Sequence, residues 1–208
     1  MDIQNAYDEW SNSYDLDENL TRDLDQAVTR SLLGDLQFDS ILEIGCGTGK
    51  NTIFLAQIGR RVRAVDFSQG MIARAKEKVR AENVQFSLMD ITRPWHFAAG
   101  SFDLIVCNLV LEHIQDLFHV FSEAARSLRP DGRFFLNELH PFRQYEGKKA
   151  RFYREAEKIE VQAFLHHISD FLHAAENHGL ALAKLQEYWH EADTNRPPRL
   201  LSLAFVRR

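Results

Sequence analysis

Glu43-Ile44-Gly45-Cys46-Gly47-Thr48-Gly49 places three glycines at alternate positions behind a short apolar run. Bare backbone of this kind turns tightly and lets a ligand reach its N–H groups. A helix beginning just past the turn would aim its free N–H groups and positive dipole end at the same ligand. Asp66 closes the next apolar run, 17 residues beyond Gly49, where a carboxylate can accept hydrogen bonds from both hydroxyls of a ribose. Asp90 follows a third run and precedes Ile91, a carboxylate for the exocyclic amine of adenine beside an aliphatic surface for its ring. Asn108 closes a fourth run. Any one of the acids could be a helix cap or a solvated turn residue. Several polar strand ends in register describe a site for a nucleoside-bearing ligand. The dinucleotide fingerprint G-x-G-x-x-G fits less well, because Lys50 stands where its third glycine should fall.

These residues need a scaffold, and the hydrophobic pattern supplies one. Ser40–Ile44, Val62–Asp66, Val84–Leu88, Phe102–Cys107 and Arg133–Leu136 read as buried strands. Helical stretches separate them. Ile114, Leu117, Phe118, Phe121, Ala125 and Leu128 form an apolar stripe at helical spacing, ending at the turn Arg129-Pro130-Asp131-Gly132. An earlier helix near Thr21–Leu33 ends at Gly34, read as a left-handed cap. Strand and helix alternating in this way predict a mostly parallel α/β sheet with helices on both faces. A further helix from about Phe164 to His178, capped at Gly179, precedes two strand-like runs, Leu182–Tyr188 and Leu200–Val206, expected as an antiparallel hairpin at one edge.

The motifs E-x-G-C-G-T-G, VDFS with Met71 downstream, MDI at 89–91, FDLIVCNLVLEHI and LRPDGRFFL together resemble the class I S-adenosylmethionine-dependent methyltransferases, in the branch that acts mostly on small molecules. The resemblance covers residues 38 to 137. It implies a Rossmann-like fold with a seven-stranded, mostly parallel sheet and an antiparallel C-terminal edge hairpin. It implies S-adenosylmethionine as cofactor, with Gly45 and Gly47 along the methionine portion, Asp66 at the ribose, Met71 and Ile91 on the adenine faces, and Cys46 and Phe67 as further cofactor-binding residues. Asp90 would take the adenine amine, and Asn108 would sit beside the ribose or sulfonium. AYDEWSNSYD near the N-terminus resembles the family's cap over the cofactor, with Tyr14 as its contact. The whole chain then reads as one methyltransferase domain: a helical cap (1–37), a cofactor-binding core (38–137), a substrate-cover insertion (138–163) and a C-terminal helix and strand pair (164–208).

Methyl transfer from a sulfonium needs alignment and exclusion of water more than a nucleophilic side chain. A base helps where the acceptor is a hydroxyl or a protonated amine. His113 and His140 are the candidates, since imidazole titrates near neutrality. His113 can equally be a helix-start residue bound to backbone or cofactor. Residues 140–154 carry five basic side chains against Glu146, whereas residues 1–25 carry eight acids against Arg22. The two segments are expected to cover an acceptor cleft from opposite sides, with Arg143 or Arg151 holding an acidic group of a small-molecule acceptor. Tyr7 and His166 are further candidate acceptor contacts. His166, Asp170 and His173 share a helical spacing, which could make a metal site but reads more simply as the polar side of an amphipathic helix; no metal is expected. Cys46 and Cys107 read as small buried residues.

Composition bounds the rest. The 208 residues carry a formal net charge of −5, a poor start for a nucleic-acid binder. No apolar run approaches the roughly 18 residues of a membrane span, and the acidic, aromatic N-terminus is unlike a signal peptide, so a cytoplasmic setting is the default. The pattern does not set the oligomeric state.

Overall fold

A computed structural model describes residues 2–155 and 157–208. In chain order these form α1 (Ile3–Trp10), α2 (Leu20–Leu33), β1 (Phe38–Ile44), α3 (Thr52–Ile58), β2 (Gly59–Asp66), α4 (Gln69–Lys78), β3 (Val84–Leu88), β4 (Phe102–Asn108), a 3-10 turn (Leu111–His113), α5 (Leu117–Ser127), β5 (Leu128–Leu139), α6 (Pro141–Tyr145), β6 (Arg151–Arg154), β7 (Glu157–Glu160), α7 (Ile168–Asn177), β8 (Leu180–Tyr188) and β9 (Leu200–Arg207). The main sheet runs β3-β2-β1-β4-β5-β9-β8, and β6 and β7 make a separate hairpin. Pairing is parallel from β3 through β5, while β9 runs antiparallel to both its neighbours.

Alternation along the central strands sends side chains to two cores. Leu42, Ile44, Ile105, Cys107, Phe134 and Leu136 pack on one face with Phe121 of α5 and Phe171 of α7. Ile41, Val62, Leu104, Val106 and Phe135 pack on the other with Leu33 of α2 and Phe54, Leu55 and Ile58 of α3. Strand order reverses between β1 and β4, the switch point where open α/β sheets leave a crevice beyond their C-terminal ends.

Several local expectations shift. The α5 helix starts at Leu117, where the Asp116 carboxylate caps the His119 N–H. Its buried face therefore runs through Leu117, Val120, Phe121 and Ala124, and Phe118 is 41% exposed. Gly34 is right-handed, with φ −62°, so it does not close α2 as a left-handed cap; Gly179 does so for α7 at φ +70°. The Pro130–Gly132 turn bulges inside β5, shifting the β4 register between Phe102 and Leu104, and Asp131 takes the left-handed conformation at φ +62°. The α7 helix begins at Ile168, behind a capping box between His167 and Asp170, so His166 and Phe164 lie outside it. Among the described residues, no helix is long and apolar enough to cross a membrane.

Candidate functional site

Register brings the ends of β1, β2 and β4 together, with Ile44 beside both Val65 and Cys107. A cavity of about 250 Å³ opens there. Its walls include Gly45, Gly47, Asp66, Phe67, Met71, Asp90, Ile91, Asn108, Tyr7, Tyr14 and His113. The glycine turn continues to Asn51 before α3 begins at Thr52, so backbone of the turn itself, more than a helix end, faces the cavity. Gly45 and Gly47 are left-handed, at φ +69° and +53°. A Cβ on Gly45 would lie 2.2 Å from Val110 Cγ2, whereas one on Gly47 would meet nothing within 4 Å. Gly45→Ala should therefore cost about 1–3 kcal/mol of stability through backbone strain, and the clash adds to that. Gly47→Ala carries the left-handed backbone strain without the clash, so it should cost less stability than Gly45→Ala, and it should weaken cofactor binding. Melting curves with a titration of S-adenosylhomocysteine separate the two; equal melting temperatures for both variants would contradict the packing.

The Asp66 carboxylate organises the turn. Gly47 N–H donates to Oδ2 at 2.8 Å and Ser68 N–H to Oδ1 at 2.9 Å. A carboxylate has about four lone-pair sites, so both oxygens can still accept from a ligand. Burial pushes its pKa up to about 6, against the pull of the Ser68 and Gly47 N–H groups. Asn108 donates from Nδ2 to Thr29 Oγ1 at 2.9 Å, and its buried Oδ1 has no partner among the described residues. Cys46 turns away from the cavity onto Ala64 and Ile72. Over the opening lies α1, latched to the start of α4 by Asp8, which accepts from Ser68 Oγ at 2.6 Å and Gly70 N–H at 2.9 Å.

A second cavity, about 480 Å³, shares Tyr7, Tyr14 and Leu109 with the first. One wall is the stretch from Tyr7 to Arg22, and the other runs from Arg143 to Tyr153, joined by Arg196 and Arg199. The two walls meet through Trp10 stacked on Phe152 at 5.3 Å between ring centres. Seven cationic side chains face it against Asp17, Glu18 and Glu112. Among the described residues, Lys148, Lys149, Arg151 and Arg196 have no carboxylate within 4.0 Å. Arg143 is committed elsewhere: it is 3% exposed, and its Nη2 lies 2.8 Å from Asp193 Oδ1.

The histidines divide. His113 reaches the first cavity; Tyr7 O–H donates to its Nε2 at 2.7 Å, and its Nδ1–H donates to the Gln162 carbonyl at 2.7 Å. Burial lowers its pKa, keeping the ring neutral. His140 lines neither cavity. It is fully buried, with Nε2 on Glu187 Oε1 at 2.8 Å and Nδ1 accepting from Phe142 N–H at 3.2 Å, and caps α6 instead of acting as a base. His166 also lines neither, since its Nε2 is bonded to the Ile114 carbonyl at 2.7 Å.

Two site residues escape sequence reasoning. Arg22 is buried, with its guanidinium 4.0 Å over the Tyr14 ring and bonded to the Tyr14 and Asp17 carbonyls. It faces both the second cavity and a small one of about 50 Å³ beneath the glycine turn, which Glu43 and Asp25 also line. Its one signal is that it is the sole basic residue among eight acids. The other is Glu112, hidden inside an apolar stretch.

Bare turn backbone, a buried carboxylate with spare lone pairs, an unpartnered amide oxygen and aliphatic walls together fit an adenosyl sulfonium. The strand order and this cavity define a nucleoside-binding α/β domain. Residues 42–136 match the family model described as a methyltransferase domain, and the chain is similar in sequence and fold to S-adenosylmethionine-dependent methyltransferases. A demethylmenaquinone methyltransferase of Lactococcus lactis is 33% identical over 150 residues, covering 67% of this chain. This chain spans 59% of that relative's length. An S-adenosylmethionine-dependent methyltransferase from Mesorhizobium loti superposes with TM-score 0.73 at 19% identity, covering 87% of this chain and 96% of that one. Magnesium protoporphyrin IX methyltransferase from Synechocystis, solved with S-adenosylhomocysteine, superposes with TM-score 0.71 at 19% identity, covering 99% and 95%.

Proposed function

We propose that this chain methylates a small anionic acceptor, using S-adenosylmethionine and releasing S-adenosylhomocysteine. The observation that carries this reading is the second cavity, which shares Tyr7, Tyr14 and Leu109 with the first and is dominated by cations. The similarity to a demethylmenaquinone methyltransferase and to magnesium protoporphyrin IX methyltransferase supports a small acceptor.

When bound, the cofactor supplies an electrophilic methyl carbon on a sulfonium that departs as a neutral thioether. The chain's residues bind and orient. Asp66 takes the ribose hydroxyls, Asp90 the adenine amine, and Met71 and Ile91 the ring faces, while the Gly45–Gly47 backbone runs along the methionine portion. The guanidinium of Arg22 answers the methionine carboxylate at the small cavity under the turn. His113 positions Tyr7, whose hydroxyl sits at the junction of the two cavities. Alignment of acceptor and methyl donor supplies most of the rate. The acceptor's anion falls to Lys149 and Arg151, because Arg143 is already paired.

A panel of small carboxylates and phosphates, each beside a neutral isostere, tests this with purified protein. Anionic members should be preferred. The double variant K149Q/R151Q should raise acceptor KM about tenfold per lost charged contact while leaving S-adenosylhomocysteine affinity unchanged. Equal turnover of the neutral isosteres, with KM unmoved in the variant, would refute the anionic acceptor.

A further inference from the structure

Glu112 sits in the 3-10 turn after β4, 6% exposed, on the wall of the second cavity. Its Oε2 has no hydrogen-bond partner among the described residues. A buried carboxylate oxygen left unpaired is costly, and a fold seldom keeps one without a use. The ordinary structural explanations fail. It caps no helix. His113 Nε2 is 3.9 Å from Oε1, too far for a hydrogen bond, and that nitrogen is occupied by Tyr7. The position is held firmly nonetheless: Glu138 Oε1 accepts from the N–H groups of Val110 and Leu111, and Phe164 N–H donates to the Glu112 carbonyl at 2.7 Å. A rigid turn thus presents Glu112 to one cavity and His113 to the other, with Tyr7 lining both.

We propose that Glu112 is the proton acceptor for the methylated group, so that the acceptor offers a hydroxyl or an ammonium to this carboxylate and its anion serves only as the handle. The inference rests on the reading of the second cavity given above. For a hydroxyl, as the oxygen–carbon bond forms, the carbon–sulfur bond breaks with its electron pair on sulfur. The O–H proton passes to the Glu112 carboxylate and its bonding pair stays on oxygen. An ammonium gives its proton to the carboxylate first, freeing the lone pair that attacks. Either way Glu112 ends as the neutral acid and returns its proton to solvent through the cavity. Burial raises its pKa to about 7, which suits proton exchange near neutrality. The ionisable groups facing it are Tyr7 from α1, His113 beside it, Glu138 from β5, Arg143 from α6, and Lys149 and Arg151 across the cavity.

The experiment compares the parent chain with Glu112→Gln on an anionic acceptor that also bears a hydroxyl or amine. The expected result is a fall in kcat of about a hundredfold or more, with acceptor KM and S-adenosylhomocysteine affinity within twofold of the parent. The parent's acid limb near pH 7 in kcat should vanish, and formate should partly restore Glu112→Ala. A readout independent of turnover is stability. A carboxyl whose pKa is higher folded than unfolded weakens the fold as pH rises from about 4.5 to 7, so Glu112→Gln should melt a few degrees above the parent at pH 8 and level with it at pH 4.5. Parental kcat with the acid limb intact in Glu112→Gln overturns the assignment and leaves the anionic-acceptor reading standing. A parent that methylates the anion's own oxygen also overturns it. A parent that turns over no anionic acceptor removes the underlying reading as well.

Discussion

Asp66→Ala is expected to weaken binding of S-adenosylhomocysteine at least a hundredfold. Two ribose hydroxyls donating to an ionised carboxylate are worth about 1.5–3 kcal/mol each, and about 1.4 kcal/mol is a decade in affinity. The variant also frees the Gly47 and Ser68 N–H groups, so the turn that carries the methionine portion loses its fixed shape. Stability should fall by about 1–3 kcal/mol because the buried Ser68 N–H loses its acceptor, a loss partly offset because the burial that raises this pKa to about 6 also penalises the charge that is removed. The pH dependence has a definite sign. The carboxylate must be ionised to accept two hydroxyls, so ligand affinity of the parent should decline as pH falls below about 6, and in Asp66→Ala this dependence should flatten. Calorimetric titration from pH 5 to 8 checks both points. Unchanged affinity in the variant would remove the ribose assignment.

Asp193→Ala should cost about 3–5 kcal/mol in urea unfolding, the usual result of breaking a buried ion pair from one side. Asp193 is 2% exposed and answers two arginines: Arg143 Nη2 at 2.8 Å, and Arg199 through Nε at 2.7 Å and Nη2 at 2.6 Å. Burial alone would raise its pKa, but the Arg199 bonds and the His190 N–H hold it at about 2. Its contribution is therefore complete above pH 4 and is lost only as pH falls through about 2. Removal leaves the buried Arg143 without its counter-charge. The cavity floor formed by Arg143, Arg196 and Arg199 then loosens, so acceptor KM should rise while cofactor affinity holds. Adding Arg143→Met to Asp193→Ala should recover part of the stability, since a methionine needs no counter-charge. A loss under 1 kcal/mol in the single variant would show the pair to be idle.

Much was legible from residue order alone. Alternation and spacing identified five parallel strands, the closing hairpin and the polar ends at Asp66, Asp90 and Asn108, because each signal lies within one short segment. The glycine turn was readable for the same reason: left-handed backbone at Gly45 and Gly47 is a local demand on residue type. The acceptor side was not. His140 looked poised ahead of Pro141, yet Glu187, 47 residues later in β8, takes its ring. Arg143 stood in a basic stretch, yet its counter-charge comes from the β8–β9 loop. Phe118 fitted the apolar stripe, but the cap at Asp116 rotated the helix face by its starting point. Glu112 and Arg22 gained meaning only once α1 and the β6–β7 hairpin closed over them. The chain by itself therefore determined the fold and where a nucleoside would rest, since those depend on neighbours in sequence. Which charges stay free to meet an acceptor depends on pairings between distant segments, and only the tertiary structure decides those.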